Sequence, residues 1–196
     1  MAPVELRPGL WRWTAPHPNW RPAPAGSSGD WAREVGCVLY ETAAHAVFFD
    51  PLADEHDAAF WAWAGERCAG RSVVVALTIG FHSRSRERFV SRLRASAELP
   101  ASVAAIAFEA LDETIYWLAE HRALITGDRL IGDGEGGLAL CPQSWLGYLE
   151  HPPTREQMRV QLAVLLELEV ALVLTSHGEP VLADGHAALA RALDEA

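Results

Sequence analysis

The sequence contains no lysine: all 16 of its basic residues are arginine. Without a lysine amine the chain can neither form a Schiff base with a carbonyl substrate nor use a lysine as its general base. Cysteine is scarce as well, with Cys37, Cys68 and Cys141 far apart in the chain. An odd number of cysteines with no C-x-x-C pair predicts neither a disulfide framework nor a thiolate zinc site, so we expect all three to pack in the interior.

Long apolar runs and an excess of positive charge are also missing. No stretch approaches the roughly 18 apolar residues that a membrane span needs, and residues 1–13 lack the apolar core of a signal peptide. The formal net charge is −10, whereas proteins that bind nucleic acids need a basic surface. We therefore expect a cytoplasmic protein with neither a membrane nor a nucleic-acid partner. A small-molecule ligand and a homo-oligomer both stay open.

The length and the order of apolar segments predict one domain in two halves. A chain of 196 residues can bury one substantial core. Strands, a helix, a strand and a helix are predicted in the first half, about residues 1–100, and the same succession follows in the second, about residues 101–196. Two such halves favour two sheets lying face to face with helices outside. The expected fold class is α+β, as a four-layer αββα sandwich.

Individual elements follow from apolar periodicity and turn residues. Strands are predicted as apolar runs between turns, at 10–14, 36–41, 46–49, 72–79, 103–107, 114–118, 123–126 and 170–175. Helices are predicted at 53–68, 83–99, 154–167 and 184–195. Asp54 is the expected N-cap of the first helix, and Thr154 and Gln157 have the spacing of a capping box.

The predicted helix at 83–99 has two distinct faces. Arg84, Arg88 and Arg92 recur every four residues, which is typical of a solvated helix face. Phe89 and Ala97 are among the residues expected on the inward face.

Four predicted strands run into an Asp or a His, namely Asp50, His82, Asp128 and His177. Functional sites of layered α/β proteins gather at one edge of their sheets. Imidazole and carboxylate groups are the ligands that zinc and iron prefer. Taken singly, each residue could equally be a turn, cap or surface residue, but together they predict a site. The other six histidines have no ligand spacing and are expected at the surface.

The segments around these residues resemble the metallo-β-lactamase fold hydrolase superfamily along nearly the whole chain. In order, they are PGLWRW, VFFDPL, LTIGFHSRS, AEHRALITGDRLIG and VLTSHGEP, of which HRALITGDRL and SHGEP are the most specific. The resemblance implies an αββα sandwich with a two-metal site. It assigns Asp50 a structural role in that site, Asp128 the role of metal-bridging carboxylate, and His177 the role of a late metal ligand.

The resemblance fails at the family's H-x-H-x-D-H motif. There this chain has Gly80, His82, Arg84 and Ser85, so that only His82 remains of the ligands. Where the family has another histidine, this chain has Glu109 as the nearest candidate ligand. A guanidinium cannot lose its proton in a protein and repels a cation. The resemblance therefore implies a degenerate member of the superfamily that has lost the second metal.

The first of two hypotheses is a metal-free pocket that binds a small molecule or a protein. In it Arg84 takes up the space of a metal and pairs with Asp128 or another carboxylate. The expected pocket residues are Asp50, Arg84, Ser85, Glu109 and Trp145. The loop residues Trp20 and Trp31, together with Trp145, could form an apolar wall.

The second hypothesis is a one-metal hydrolase. Two histidines and one carboxylate are a known ligand set with open positions, so His82, Asp128 and His177 could hold one zinc or iron ion. The metal would activate water for attack on an ester, thioester or lactone, and Asp128 would be the catalytic residue that orients the water. From the sequence alone, whether the protein is an enzyme stays open between these two hypotheses.

Overall fold

The computed structural model describes residues 2–27, 29–96 and 98–194. The first sheet consists of five strands side by side in chain order: β1 (Val4–Arg7), β2 (Leu10–Pro16), β3 (Glu34–Glu41), β4 (His45–Phe49) and β5 (Ser72–Ala76). The strands from β1 to β4 are antiparallel to their neighbours, whereas β5 runs parallel to β4. The antiparallel start predicted from the turn chemistry is confirmed.

The second sheet is assembled from strands farther apart in sequence. Its members are β6 (Val103–Phe108), β7 (Glu113–Leu118) and β8 (Ala123–Thr126), with β11 (Leu172–Thr175) at the far edge beyond β8. β11 is parallel to β8, and the other pairs are antiparallel. A separate hairpin is formed by β9 (Leu130–Gly132) and β10 (Leu138–Leu140). The sequence patterns did not predict β1, β9 or β10.

Within the described residues, four α-helices accompany the sheets: α1 (Ala58–Cys68), α2 (Arg86–Leu93), α3 (Arg155–Leu162) and α4 (Gly185–Asp194). Two short 3-10 helices, Gly80–Ser83 and Gln143–Leu146, also matter for the site described below. None of the helices in the described part of the chain has both the length and the apolarity that crossing a bilayer requires.

Three buried apolar clusters show the order of the layers. The middle cluster joins the facing sides of the two sheets and includes Phe49 from β4 and Ile125 from β8. A second cluster packs α1 and α2 on the outer face of the first sheet, around Phe48. A third packs α3 and α4 on the outer face of the second sheet, around Leu124. The predicted four-layer αββα sandwich is confirmed, with apolar cores between each pair of layers.

The helix caps follow the sequence signals in one case and not in another. At α3, Thr154 and Gln157 form the predicted capping box, with Gln157 N–H donating to Thr154 Oγ1 at 3.2 Å. At α1, the predicted cap Asp54 is wrong. Its carboxylate instead accepts the N–H of His56 in a turn, and the helix begins later, where Asp57 accepts the N–H of Phe60 at 2.9 Å.

The helix predicted at 83–99 is shorter at both ends. α2 ends at Leu93 and is capped by Arg94, whose backbone is left-handed with φ 55°. Ser96 then joins the first sheet by donating its N–H to the carbonyl of Val73. Arg84 precedes the helix with φ 16° and ψ −90°. It therefore does not share a helical face with Arg88, so that part of the predicted arginine stripe is wrong. Ala97 and the predicted last residue of α4, Glu195, lie outside the described residues.

The strand predicted at 72–79 ends early because the buried carboxylate of Asp50 binds the backbone that follows. β5 ends at Ala76, and the N–H of Thr78 then donates to Asp50 Oδ1 at 2.8 Å. The carbonyl of Thr78 accepts the N–H of Thr114 from β7 at 2.7 Å. This bend carries the chain from the sheet into the 3-10 helix that contains His82.

A second buried carboxylate fixes the turn that follows β8. Glu113 accepts the backbone N–H groups of Gly127, Asp128 and Arg129 at 3.1, 2.7 and 2.9 Å. Any Cβ at Gly127 would lie 2.5 Å from Thr78 Oγ1, so only glycine fits at the start of this turn. Burial raises the pKa of Glu113 to about 7, although Arg129 and the N–H donors oppose the shift.

Replacement of Glu113 by glutamine tests this support for the turn. In Glu113→Gln an amide NH₂ replaces one acceptor oxygen and faces backbone donors, which leaves buried N–H groups unpaired. We expect the free energy of unfolding in urea to fall by about 1–3 kcal/mol. Glu109→Gln, at an exposed position of the preceding segment, is the matched control and should stay within about 0.5 kcal/mol of wild type. Equal stability of the two variants would contradict the role given to Glu113.

Candidate metal centre

The parallel strand pairs bring four polar residues to one edge of the sandwich. In β4 and β5, and again in β8 and β11, parallel pairing places the carboxyl ends of neighbouring strands side by side. Each of these ends is followed by one of the residues singled out in the sequence, in chain order Asp50, His82, Asp128 and His177.

A close backbone contact joins the two sheets at this edge. The N–H of Gly36 in β3 donates to the carbonyl of Ser176 at 2.7 Å. A Cβ at Gly36 would come within 2.4 Å of the carbonyl of Thr175. The glycine therefore lets the end of β11, and with it His177, lie against the first sheet.

Asp50 lies beneath the site rather than in it. Asp50 is 2 % exposed. Its backbone is in the left-handed region with φ 47°, a conformation that Asp tolerates better than most residues. Its Oδ2 accepts the hydroxyls of Thr78 and Ser176 at 2.5 and 3.2 Å, and lies 2.9 Å from Nδ1 of His82. Burial would raise the pKa of Asp50, but His82 lowers it, so that the carboxylate is charged.

The contact with Asp50 sets the orientation of His82. A carboxylate beside Nδ1 favours a proton on that nitrogen, so that in the neutral imidazole the lone pair is on Nε2, on the opposite side of the ring. The same carboxylate–histidine arrangement supports metal-ligating histidines in proteins generally. Nε2 of His82 is the atom that faces Asp128.

Three ligand atoms converge above Asp50. Oδ1 of Asp128 lies 3.0 Å from Nε2 of His82 and 3.3 Å from Nε2 of His177, and the three candidate ligand atoms lie within 4.8 Å of one another. Ligand atoms about 2.0–2.2 Å from a tetrahedral zinc ion are separated by roughly 3.3–3.6 Å. Oδ1 is buried, and the two imidazole nitrogens are its close polar neighbours among the described residues. Two imidazoles and a buried carboxylate oxygen at these distances fit one divalent ion.

The electrostatics of the three residues differ. Burial alone would lower the pKa of His82, but the carboxylates of Asp50 and Asp128 raise it to about 9. Burial would raise the pKa of Asp128, but the neighbouring His82 and His177 hold it well below its usual range. Burial lowers the pKa of His177 and favours its neutral form, which is the form that binds metals.

A cavity of about 330 Å³ opens above the three residues. His177 lies edge-on to Trp31 and Trp145, with ring centroids 5.5 and 5.1 Å away. Phe81 and Tyr148 line the cavity as a second aromatic pair, with centroids 4.7 Å apart. The cavity therefore combines apolar walls with a small set of charged and imidazole groups, as small-molecule sites do.

Only some of the predicted pocket residues line this cavity. Arg84 and Trp145 do, and Asp50 supports it from below. Ser85 instead faces a neighbouring cavity, because its hydroxyl lies 3.4 Å from both the N–H and the carbonyl of Ala53. Glu109 is exposed in a separate cleft after β6. Neither residue can therefore replace the ligands that the resemblance leaves unfilled, and the prediction that they share the pocket is wrong.

The predicted ion pair of Arg84 is absent from the described part of the chain. No carboxylate oxygen there lies within 4.0 Å of its guanidinium, and its buried Nε and Nη1 have no hydrogen-bond partner. Asp128, the expected partner, is in contact with His82 and His177 instead. Arg84 is permanently charged and has no carboxylate oxygen within 4.0 Å in the described part of the chain, and Gly80 has no side chain that could bind a metal. These two residues therefore do not fit a second metal ion.

Several residues of the site were not identified from the sequence. His17 was expected at the surface but lines the cavity, where burial and the nearby Arg84 lower its pKa to about 4. Asn19, Phe81 and Tyr148 line it as well. Trp31 forms a wall as proposed, whereas Trp20 does not: its indole N–H donates to the carbonyl of Trp31 at 2.8 Å and supports the loop. These residues follow no periodic pattern from which their position could be predicted.

Sequence comparison finds no matching family model and no matching curated protein. Solved structures do match. VMB-1 at pH 5.5 aligns with a TM-score of 0.60 and 9 % identity over 98 % of this chain and 94 % of that one. The DIM-1 metallo-β-lactamase aligns at 0.58 and 12 %, over 98 % and 95 %. An NDM_FIM-1 like metallo-β-lactamase from Erythrobacter litoralis, in its mono-zinc form, aligns at 0.56 and 17 %, over 98 % and 94 %. The chain therefore has the metallo-β-lactamase fold.

Proposed function

We propose that this protein is a one-metal hydrolase whose ion is held by His82, Asp128 and His177. The observation that carries the proposal is the convergence of these three side chains, whose candidate ligand atoms lie within 4.8 Å of one another around a buried oxygen of Asp128. The match to a mono-zinc form of a metallo-β-lactamase supports it further. Zinc is the expected ion because two imidazoles and one carboxylate suit it, with a fourth position left for water.

The chain's own residues have separate tasks in this proposal. Asp50 keeps the Nδ1 proton of His82 in place, so that Nε2 can act as a ligand. The ring of His177 packs against the edges of Trp31 and Trp145, and its Nδ1 is buried without a hydrogen-bond partner among the described residues. Asp128 offers Oδ1 to the ion, and its Oδ2 can accept a hydrogen bond that orients a water molecule.

A zinc ion bound by this set would supply a Lewis acid that lowers the pKa of water towards neutrality. The substrate class that suits this chemistry is a carbonyl compound with a good leaving group, namely an ester, a thioester or a lactone. The aromatic walls would hold the apolar part of the substrate and limit the access of bulk water to the reacting carbonyl.

A second ion is not part of the proposal. A two-metal site needs two ligand sets about 3.5–4 Å apart. Here Arg84 places a positive charge in the cavity, and neither Ser85 nor Glu109 faces the cavity as a further ligand. The protein is thus proposed to be degenerate at the second metal site alone.

The alternative is a pocket that binds a small molecule without any metal. The unpartnered guanidinium of Arg84 favours this candidate, because such a group can bind an anionic ligand whether or not an ion is present. The two candidates differ in one property that is simple to measure, the metal content of the protein.

Metal analysis of purified protein tests the proposal. Protein expressed with ample zinc should contain about one zinc ion per chain, and His82→Ala should contain almost none, because two ligands rarely retain an ion. His151→Ala, which removes an exposed histidine that does not line the cavity, is the matched control and should keep the full content. Zinc-free wild type under these conditions would favour the metal-free pocket.

Hydrolysis is measured on the same samples. Release of nitrophenol from 4-nitrophenyl acetate should depend on zinc, disappear after chelation and return when zinc is added back. The rate in His151→Ala should match wild type. A hydrolysis rate that is the same with and without bound zinc would mean that the ion does not take part.

Asp50→Asn tests the support of His82 separately. Asn tolerates the left-handed backbone at this position but offers one acceptor fewer, so Nδ1 of His82 loses its charged partner. We expect zinc affinity, measured by competition with a chromophoric chelator, to fall about 10–100-fold. Asp54→Asn removes an exposed carboxylate and should leave the affinity unchanged. If both variants bind zinc as wild type does, Asp50 does not support the ligand.

A further inference from the structure

The cavity above the candidate metal ligands contains a cation with no partner. Arg84 lines the cavity, and two of its guanidinium nitrogens, Nε and Nη1, are buried without an acceptor among the described residues. A guanidinium offers N–H donors and no acceptor, so each of these groups needs an acceptor from elsewhere. Buried charged donors that stay unpaired are costly, which indicates that their acceptor belongs to a bound molecule.

Among the described residues, neither carboxylate near the cavity forms an ion pair with Arg84. Asp50 is occupied by Thr78, His82 and Ser176. Asp128 directs Oδ1 towards the two imidazoles.

Arg88, four residues further along the chain, is an arginine of the same region whose guanidinium has partners. Its Nη1 donates to the carbonyl of Ala53 at 3.1 Å, and its Nη2 lies 3.3 Å from the carboxylate of Glu55. Arg84 has no such contacts. The two arginines lie close in sequence, and only Arg84 lines the cavity above the candidate ligands.

We propose that Arg84 binds the carboxylate of a small monoanionic ligand whose apolar body packs against Trp31 and Trp145. A guanidinium presents parallel N–H donors that match the two oxygens of a carboxylate. Trp145 adds a further buried donor, because its indole Nε1 has no partner either. The Asp128 carboxylate lines the same cavity, so a dianion such as a phosphate monoester would be repelled more strongly than a monoanion.

The inference deepens the proposed function, and the substrate class it gives rests on that function. In a hydrolase, Arg84 would hold a carboxylate-bearing ester, thioester or lactone so that its carbonyl faces Asp128 and the two histidines. The contact between Arg84 and a carboxylate needs no metal, however, and can be tested on its own.

Isothermal titration of the full-length protein, as purified and after chelation, provides the test. The probes are 3-phenylpropionate and its uncharged isostere 3-phenylpropionamide. We expect the acid to bind at least about tenfold more tightly than the amide in both preparations, because only the acid forms a charge-assisted pair. Equal affinities, or no heat from the acid at about 10 mM, would overturn the proposal.

Variants assign the contact to Arg84. In Arg84→Met, acid affinity should fall to that of the amide while amide affinity is retained. The matched control Arg88→Met removes a partnered guanidinium and should bind the acid within about twofold of wild type. Arg84→Met should also melt no lower than wild type, since the arginine it replaces has no partner to lose. Acid binding by Arg84→Met at wild-type strength would overturn the assignment.

The outcomes separate this inference from the proposed function. Protein that binds the acid but no zinc supports the role of Arg84 and overturns the one-metal hydrolase. Protein that binds zinc but binds the acid and the amide equally supports the one-metal hydrolase and overturns the role of Arg84. If Arg84→Met does not fold, the arginine has a structural role that the proposal excludes, and the acid–amide comparison in wild type still decides the ligand class.

Discussion

Asp50 carries a negative charge in the interior, where the two sheets meet, and donors from the ends of two strands surround it. Thr78 and His82 reach it from the segment after β5, and Ser176 reaches it from the end of β11. A buried carboxylate is tolerated only when its oxygens are satisfied in this way. The same contacts end β5, turn the chain towards the cavity and fix the ring of His82. The contacts of Asp50 that support this part of the fold are therefore the same contacts that orient the candidate ligand His82.

The charges above Asp50 explain why one ion and one anion suit the cavity. With both carboxylates ionised and both imidazoles neutral, a single divalent ion together with Arg84 leaves one net positive charge. A monoanionic ligand would neutralise it, whereas a second divalent ion would add charge where Arg84 already supplies it. In the proposed site, Arg84 thus favours an anionic ligand over a second ion.

Much of the fold was predictable because its signals are local. Apolar runs such as 123–126 and the capping box at Thr154 depend only on neighbouring residues, and the parallel ends of buried strands predicted which residues meet. The site was predictable only where it follows a strand. His17 lines the cavity from a loop without periodicity, and Glu113 supports the turn around Asp128 from the start of the neighbouring strand β7. Ser85 and Glu109 were placed in the pocket by alignment to a family motif, which carries no information on where a side chain points.

Anomalous diffraction from crystals grown with zinc, recorded on both sides of the zinc absorption edge, tests the central claim most directly. One peak about 2.0–2.2 Å from His82 Nε2, Asp128 Oδ1 and His177 Nε2, with none beside Arg84, is the predicted result. Two peaks about 3.5–4 Å apart in this cavity would contradict it, since Arg84 would then have failed to exclude the second ion.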